Sequence, residues 1–207
     1  MVQWKTSLVI KALFWPIFFA VLMIIVYVSE MKGYYHGLIL GIYPREAKFL
    51  YTLFTSPLSH GDMSHLGGNL FAFIPLAFFL FFLYQKHGLK TFFILWLLSG
   101  FLVWIFARPV IHIGASGLIY AMQSFMLMAG VIKRRADMMA VAGLCVILFG
   151  TGFYFGMLPL QSGVSWESHL LGFISGIICA FALKNWGPKS KKRKKHESSE
   201  DEYAIFE

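Results

Sequence analysis

The hydrophobic positions of this chain fall into long runs that short polar breaks separate. A helix that crosses a bilayer needs about 20 mostly apolar residues, and six runs approach or reach that length. The pattern therefore predicts an all-α membrane protein, a bundle of six spanning helices at residues 7–28, 65–84, 89–107, 116–132, 138–160 and 169–186. We expect residues 1–187 to form this membrane domain.

Two segments outside these runs have their own character. The first long loop, residues 29–64, is too apolar for a plain hydrophilic linker, so we expect it to fold back on the bilayer surface as short amphipathic pieces. Residues 188–207 hold a basic run followed by an acidic one. We expect them to be a disordered, charged cytoplasmic tail.

Composition explains why lipid must be the solvent for much of the surface. Hydrophobic residues make up 58% of the 207 positions and charged residues only 14%, well below the usual share in soluble domains. The net charge of +8 does not indicate a nucleic-acid partner, because the cations lie in the breaks and the tail. Lysine and arginine concentrate in cytoplasmic loops, and here they predict that both termini are cytoplasmic.

The sequence gives little support for a bound metal or cofactor. The two cysteines, Cys145 and Cys179, lie inside apolar runs and read as packing residues. Metal-binding, phosphate-binding and dinucleotide motifs are not present. We therefore expect no metal and no cofactor.

Polar residues in membrane segments are costly and usually functional, and here they form three clusters. Their members are His60, Asp62, Ser64, His65 and Asn69 before and in the second helix, Ser116 within Gly114–Gly117 at the start of the fourth, and His169 with Gly172 and Gly176 in the sixth. By the charge-based topology all three clusters lie at the outer ends of their helices. One compact site could hold them.

These residue types suit nucleophilic catalysis. A serine hydroxyl needs a base, and histidine is the usual one, which makes Ser116 the candidate nucleophile and His169 its base. Free backbone amides at the helix start could stabilise an oxyanion, and His65 and Asn69 share one helix face and can both donate hydrogen bonds. Because no spare carboxylate lies in the apolar runs, we expect a dyad.

Further features bear on this site. Gly172 and Gly176 form a small-residue face that would let the sixth helix approach the fourth, and Tyr120 could stack on an imidazole. Two simpler interpretations compete: Ser116 as a helix N-cap and Asn69 as a helix–helix contact.

The strings Ser59-His60-Gly61-Asp62-Met63-Ser64-His65-Leu66-Gly67-Gly68-Asn69, Gly114-Ala115-Ser116-Gly117 with Tyr120, and His169-Leu170-Leu171-Gly172 with Gly176 resemble those of the rhomboid family of intramembrane serine proteases. The resemblance implies that Ser116 is the nucleophile and His169 the base. It implies an oxyanion hole of His65, Asn69 and the Ser116 backbone, with Tyr120 packed on His169 and His60 structural in the first loop. Substrates would be single-pass membrane proteins cut near the outer membrane face, and we expect a multi-pass protein of a bacterial inner membrane.

One departure from the family and three alternatives stay open. Many members carry a tryptophan–arginine pair in the first loop where this chain has Tyr51-Thr52, which puts the usual anchoring of that loop in doubt. The alternatives are a catalytically silent protein that binds membrane clients, a transporter, and a metal site built from His60, His65, His112 and His169. If the chain is an enzyme, the glycines of the fifth helix and the loop at 161–167 suggest a gate over the site that holds Ser116 and His169.

Overall fold

A computed structural model of the chain describes residues 6–34, 36–149, 155–160 and 165–189. Within these residues the fold is helical, and the strand-like pairing is a single antiparallel bridge between Ile42 and His112. The α-helices are α1 (Thr6–Met31), α2 (Thr52–Thr55), α3 (Met63–Tyr84), α4 (Gly88–Phe106), α5 (Ser116–Lys133), α6 (Ala136–Phe149) and α7 (Trp166–Ala182). Single 3₁₀ turns lie at Gly37–Leu40, Ala47–Phe49 and Ser56–Leu58.

Four of these helices, α1, α3, α4 and α5, are long and apolar enough to cross a membrane. Helix α7 is apolar but has 17 residues, and α6 has 14 described residues. The described part of the chain therefore has four membrane-capable helices, as a multi-pass membrane protein requires. The count of six spans and the side of the membrane that holds each terminus stay predictions.

The helix expected at residues 138–160 is wrong at its C-terminal end. Residues 156–160 lie in turns, because Gly156 weakens a helix and Pro159 cannot donate the backbone hydrogen bond that a helix needs. Residues 150–154 of that helix, residues 161–164 of the expected gate and the tail from 190 onward lie outside the described residues.

Helix α5 lies at the centre of the bundle and α1 at its edge. Most of α5 is buried, including its polar Gln123 and Ser124, whereas α1 exposes large apolar side chains such as Ile10 and Phe14. Apolar exposure of this kind suits a helix whose outer face meets lipid.

The first loop is anchored without the tryptophan–arginine pair. The guanidinium of Arg45 donates to the Ala107 and Ile105 carbonyls at 2.7 and 3.1 Å, so it caps the end of α4. The Trp96 indole on α4 donates to Leu53 O at 2.8 Å. The loop contains short helical pieces, whereas their amphipathic character and their place on a bilayer surface stay predictions.

Helix pairing defines two ends of the bundle. His65, Gly114, Ser116 and His169 belong to the start of α3, the segment before α5, the start of α5 and the start of α7. At the other end the Tyr84 ring contacts Phe125, with centroids 5.1 Å apart, and Lys133 reaches the chain after α7. The three polar clusters of the sequence therefore lie at one end and the lysine-bearing helix ends at the other.

Candidate active site

Ser116 is the first residue of α5. The N-cap is Ala115, which makes no side-chain capping bond, so the interpretation of Ser116 as an N-cap is wrong. Its side chain is only partly buried. The segment that leads to it is non-helical, and Gly114 N donates to Ser56 O at 2.9 Å. The Ser116 hydroxyl therefore lies at the start of a helix, where backbone amides have no helical partner.

Gly114 brings the segment before α5 against α3. It adopts φ +102°, which favours glycine. A Cβ at this position would lie 2.6 Å from His65 Nε2 and 3.3 Å from Asn69 Nδ2. Only a residue without a side chain lets the backbone beside Ser116 approach these two donors so closely.

Helices α5 and α7 pack almost backbone to backbone. A Cβ on Gly172 would overlap the backbone of Gly117, and one on Gly176 would overlap Ser124 and Ala121. Ser124 Oγ also donates to Phe173 O at 2.7 Å. The small-residue face on α7 is thus the contact surface for α5, and it places the start of α7 beside that of α5.

His169 is held by a ring on one side and a carbonyl on another. The Tyr120 ring lies one turn after Ser116 and stacks on the imidazole, with centroids 4.5 Å apart and an interplanar angle of 13°. His169 Nδ1 lies 2.7 Å from Gly156 O. Because a carbonyl only accepts, Nδ1 is the protonated nitrogen, and Nε2 has the lone pair that a base needs. The Gly156 carbonyl gave no signal in the sequence.

Helix α3 starts with a fixed polar cap. Asp62 Oδ1 accepts from the His65 backbone N–H at 2.8 Å and from Ser64 Oγ at 2.5 Å, and these hydrogen bonds hold the pKa of Asp62 below its usual value. This cap sets the first turn of the helix that carries His65 and Asn69.

Asn69 is a buried polar group on α3, and its side chain has an unused donor. The residue is 7% exposed, and its Nδ2 is buried without a hydrogen-bond partner in the described part of the chain. Such a donor costs free energy in the folded state. This donor lies beside Gly114, two residues before Ser116.

His60 supports the first loop. It is 1% exposed, its Nδ1 donates to Leu58 O at 3.2 Å, and its ring packs edge-on against His65, with centroids 5.0 Å apart. Burial and the neighbouring His65 lower its pKa to about 4, so it is neutral at physiological pH.

A polar strap joins the segment before α5 to the start of α7, and the sequence did not reveal it. Arg108 Nε lies 2.6 Å from Oε1 of the buried Glu167. His112 Nε2 donates to Arg108 O at 3.1 Å, and its Nδ1 lies 2.5 Å from Ser165 Oγ. Burial lowers the pKa of His112, which favours its neutral form.

Within the described residues the histidines do not converge on a metal. Among the residues that the structure describes, no group of three or more His, Cys, Asp or Glu side chains could hold an ion. His60 and His65 pair with each other, whereas His112 and His169 bond to different partners.

The fold and this site define a class. Four helices in the described part of the chain are long and apolar enough to cross a membrane, so the chain is a multi-pass integral membrane protein. The family model that matches it is the Rhomboid domain, over residues 47–186. The chain belongs to the rhomboid family.

Relatives with similar sequences are described as uncharacterized, so they assign no activity. A protein of Mycobacterium tuberculosis (strain ATCC 25618 / H37Rv), described as uncharacterized, is 33% identical over 167 residues, which span 74% of this chain and 66% of that relative. An uncharacterized protein of Mycobacterium leprae (strain TN) is 31% identical over 176 residues, 78% of this chain and 66% of the relative. The chain thus spans just under two thirds of the length of these relatives.

Proposed function

We propose that the chain is an intramembrane serine endopeptidase that uses Ser116 as nucleophile and His169 as general base. The observation that carries the proposal is the stack of Tyr120 on His169 at 4.5 Å. Tyr120 lies one turn after Ser116, and the Gly156 carbonyl accepts from His169 Nδ1, which leaves Nε2 as the basic nitrogen. Its substrates are single-pass membrane proteins, cut near the outer face.

The reaction divides into acylation and deacylation. His169 Nε2 takes the Ser116 proton as Oγ bonds to the scissile carbonyl carbon, and the carbonyl electron pair moves onto oxygen. The tetrahedral intermediate then expels the amine, which receives that proton from His169. A water molecule, deprotonated by the same nitrogen, attacks the acyl ester and restores Ser116.

The developing oxyanion needs donors in place before the reaction. We assign this role to the Ser116 N–H, to His65 and to Asn69. What supports the assignment is the short approach of both side chains to Gly114 and the free Asn69 Nδ2. Gly172 supports the site by letting α7 approach α5, and His60 supports it by packing on His65.

The remaining parts of the proposal concern placement. Six spans, cytoplasmic termini and residence in a bacterial inner membrane follow from the charge pattern and the family. A gate formed by the end of the fifth predicted helix and the loop after it would admit substrate, and Gly156, which contacts His169, belongs to that region.

The deciding experiment is co-expression with a panel of single-pass membrane proteins, each tested against wild type, Ser116→Ala and His169→Ala. Cleavage by wild type alone supports the proposal, whereas cleavage that survives Ser116→Ala contradicts it. A fluorophosphonate probe on the purified protein separates a silent client-binding protein from an enzyme. An enzyme is labelled at Ser116 and loses the label in Ser116→Ala.

A further inference from the structure

The end of the bundle opposite Ser116 contains a cavity of about 340 Å³. It lies where α5 ends and the chain leaves α7. Its lining includes three lysines, Lys133, Lys184 and Lys189, together with Ile132 and Asn185. A cavity of this size falls in the range of small-ligand sites.

Contacts within the protein hold the walls of this cavity in place. Lys133 is only 6% exposed, and its Nζ donates to Lys184 O at 2.6 Å, which ties the end of α5 to the chain after α7. Two residues further on, the Trp186 ring stacks on His87, with centroids 4.8 Å apart. The backbone that presents Lys184 and Lys189 is therefore anchored to α5 and to the chain between α3 and α4.

The charge of the cavity is not balanced by nearby carboxylates within the described residues. The described residues form two salt bridges, and neither involves a lysine of the cavity. Asp137, at the start of α6, is paired with Arg135. Lys86, between α3 and α4, and Lys90, in the first turn of α4, add to the positive charge of this end. The group that fits the cavity is an anion.

The surface beside the cavity indicates that the anion has an apolar part. Val131 in the last turn of α5 is 51% exposed and Phe181 in the last turn of α7 is 57% exposed. Both helices are apolar, and the outer face of a membrane protein meets acyl chains. Basic pockets at the ends of membrane helices bind anionic lipid headgroups. We propose that this cavity binds the phosphate headgroup of an anionic phospholipid whose chains run along α5 and α7.

The test compares two pairs of lysines on the same end of the protein. Lys184→Gln/Lys189→Gln removes two cavity cations, and Lys86→Gln/Lys90→Gln removes two exposed cations outside it. Both keep Lys133, which joins α5 to the chain after α7. The full-length variants, purified in a neutral detergent, are titrated with dioleoyl phosphatidylglycerol, and bound lipid is counted by native mass spectrometry.

We expect the cavity variant to bind phosphatidylglycerol about 10- to 30-fold more weakly than wild type, since each of the two lysines near an anionic headgroup contributes a factor of about five. The control variant should stay within about twofold, and Lys184→Arg/Lys189→Arg should restore binding. Equal loss in both glutamine variants would overturn the proposal in favour of general surface charge.

Two further arms identify the source of the phosphate. Phosphatidylcholine carries a phosphate with a compensating cation and should bind much more weakly than phosphatidylglycerol. Equal binding of the two lipids would overturn the proposal. Glycerol 3-phosphate lacks the acyl chains and should not displace the lipid at millimolar concentration. Displacement would overturn the assignment to a lipid and indicate a soluble phosphate ligand. None of these readouts depends on proteolysis.

Discussion

The two halves of the candidate active site are built in different ways. The half that carries Ser116 and His169 is formed by α5 and α7, whose backbones meet across Gly172 and Gly176. The half that carries His65 and Asn69 is formed by α3 and the segment before α5, where polar side chains meet a glycine and one donor has no partner in the described residues. The first arrangement gains stability from close packing. The second keeps a costly donor free, which stability alone does not explain.

The contrast predicts that damage to the first half lowers both stability and activity. Gly172→Ala places a methyl group 2.9 Å from the Gly117 carbonyl carbon, and this backbone cannot move without displacing α5. Overpacking of this kind costs about 1–3 kcal/mol, and a shift of about 1 Å in a catalytic group costs about a hundredfold in rate. We expect both losses, measured as the apparent melting temperature in detergent and as cleavage of a model substrate.

Gly143→Ala is the matched control for this change. Gly143 lies in α6, and a Cβ there would meet nothing within 4 Å. Both substitutions gain the same helix propensity, so the difference between them isolates the contact of α7 with α5. If the two variants behaved alike, the close packing of this half would have no part in the activity.

A substitution in the second half should lower activity without lowering stability. Asn69→Ala removes a buried donor that has no partner in the described residues, so it should leave the melting temperature unchanged or raise it slightly. Loss of one of three oxyanion donors should lower kcat about tenfold to a hundredfold, with KM little changed. A lower melting temperature with intact kcat would instead favour the interpretation of Asn69 as a helix–helix contact.

The sequence predicted the helices of both halves better than the contacts between them. Helix α7, expected at 169–186, lies at Trp166–Ala182. Long apolar runs and the spacing of Gly172 and Gly176 depend on local pattern, so the helices and the contact of α7 with α5 could be read from it. The boundaries of α3, α4 and α5 were found to within about two residues. The helix over 138–160 was overextended because an apolar run does not show how Gly156 and Pro159 redirect the chain.

The contacts that join the two halves could not be predicted because they depend on folding. Arg108 and Glu167 are 59 positions apart, and each looks like an ordinary loop residue. The first-loop anchor was also missed: Arg45 supplies the guanidinium, and it caps α4. Pairing between distant loops leaves no periodic signal in one sequence.

The strap between the halves gives a prediction of intermediate size. Arg108→Gln leaves the buried Glu167 carboxylate without its cation. Because Arg108 is itself more than half exposed, the expected destabilisation is only about 1 kcal/mol, with cleavage reduced a few-fold through displacement of His169. Adding Glu167→Gln removes the isolated charge and should restore most of the loss. If the losses of stability and cleavage in the double variant equalled the sum of the losses in the two single variants, the ion pair would not couple the two halves.

The smallest predicted effect is a dependence of stability on pH. It comes from His60, which packs against His65 of the second half. Its pKa is lowered to about 4 in the folded protein, by burial first and then by the charge of His65, whereas an unfolded histidine titrates near 6.5. Between these two values the unfolded chain binds a proton that the folded chain does not. Stability from this residue is therefore complete above pH 6.5, falls as pH decreases toward 4, and changes no further below that.

The expected slope is about 1.4 kcal/mol for each pH unit within that window. His60→Gln removes the titration, so its apparent melting temperature should decrease less than that of wild type between pH 6.5 and 5. His36→Gln is the control, because His36 is exposed in the same loop and should leave the wild-type slope unchanged. If His60→Gln kept the wild-type slope, the acid sensitivity would come from other groups, and the second half would not depend on a neutral His60 beside His65.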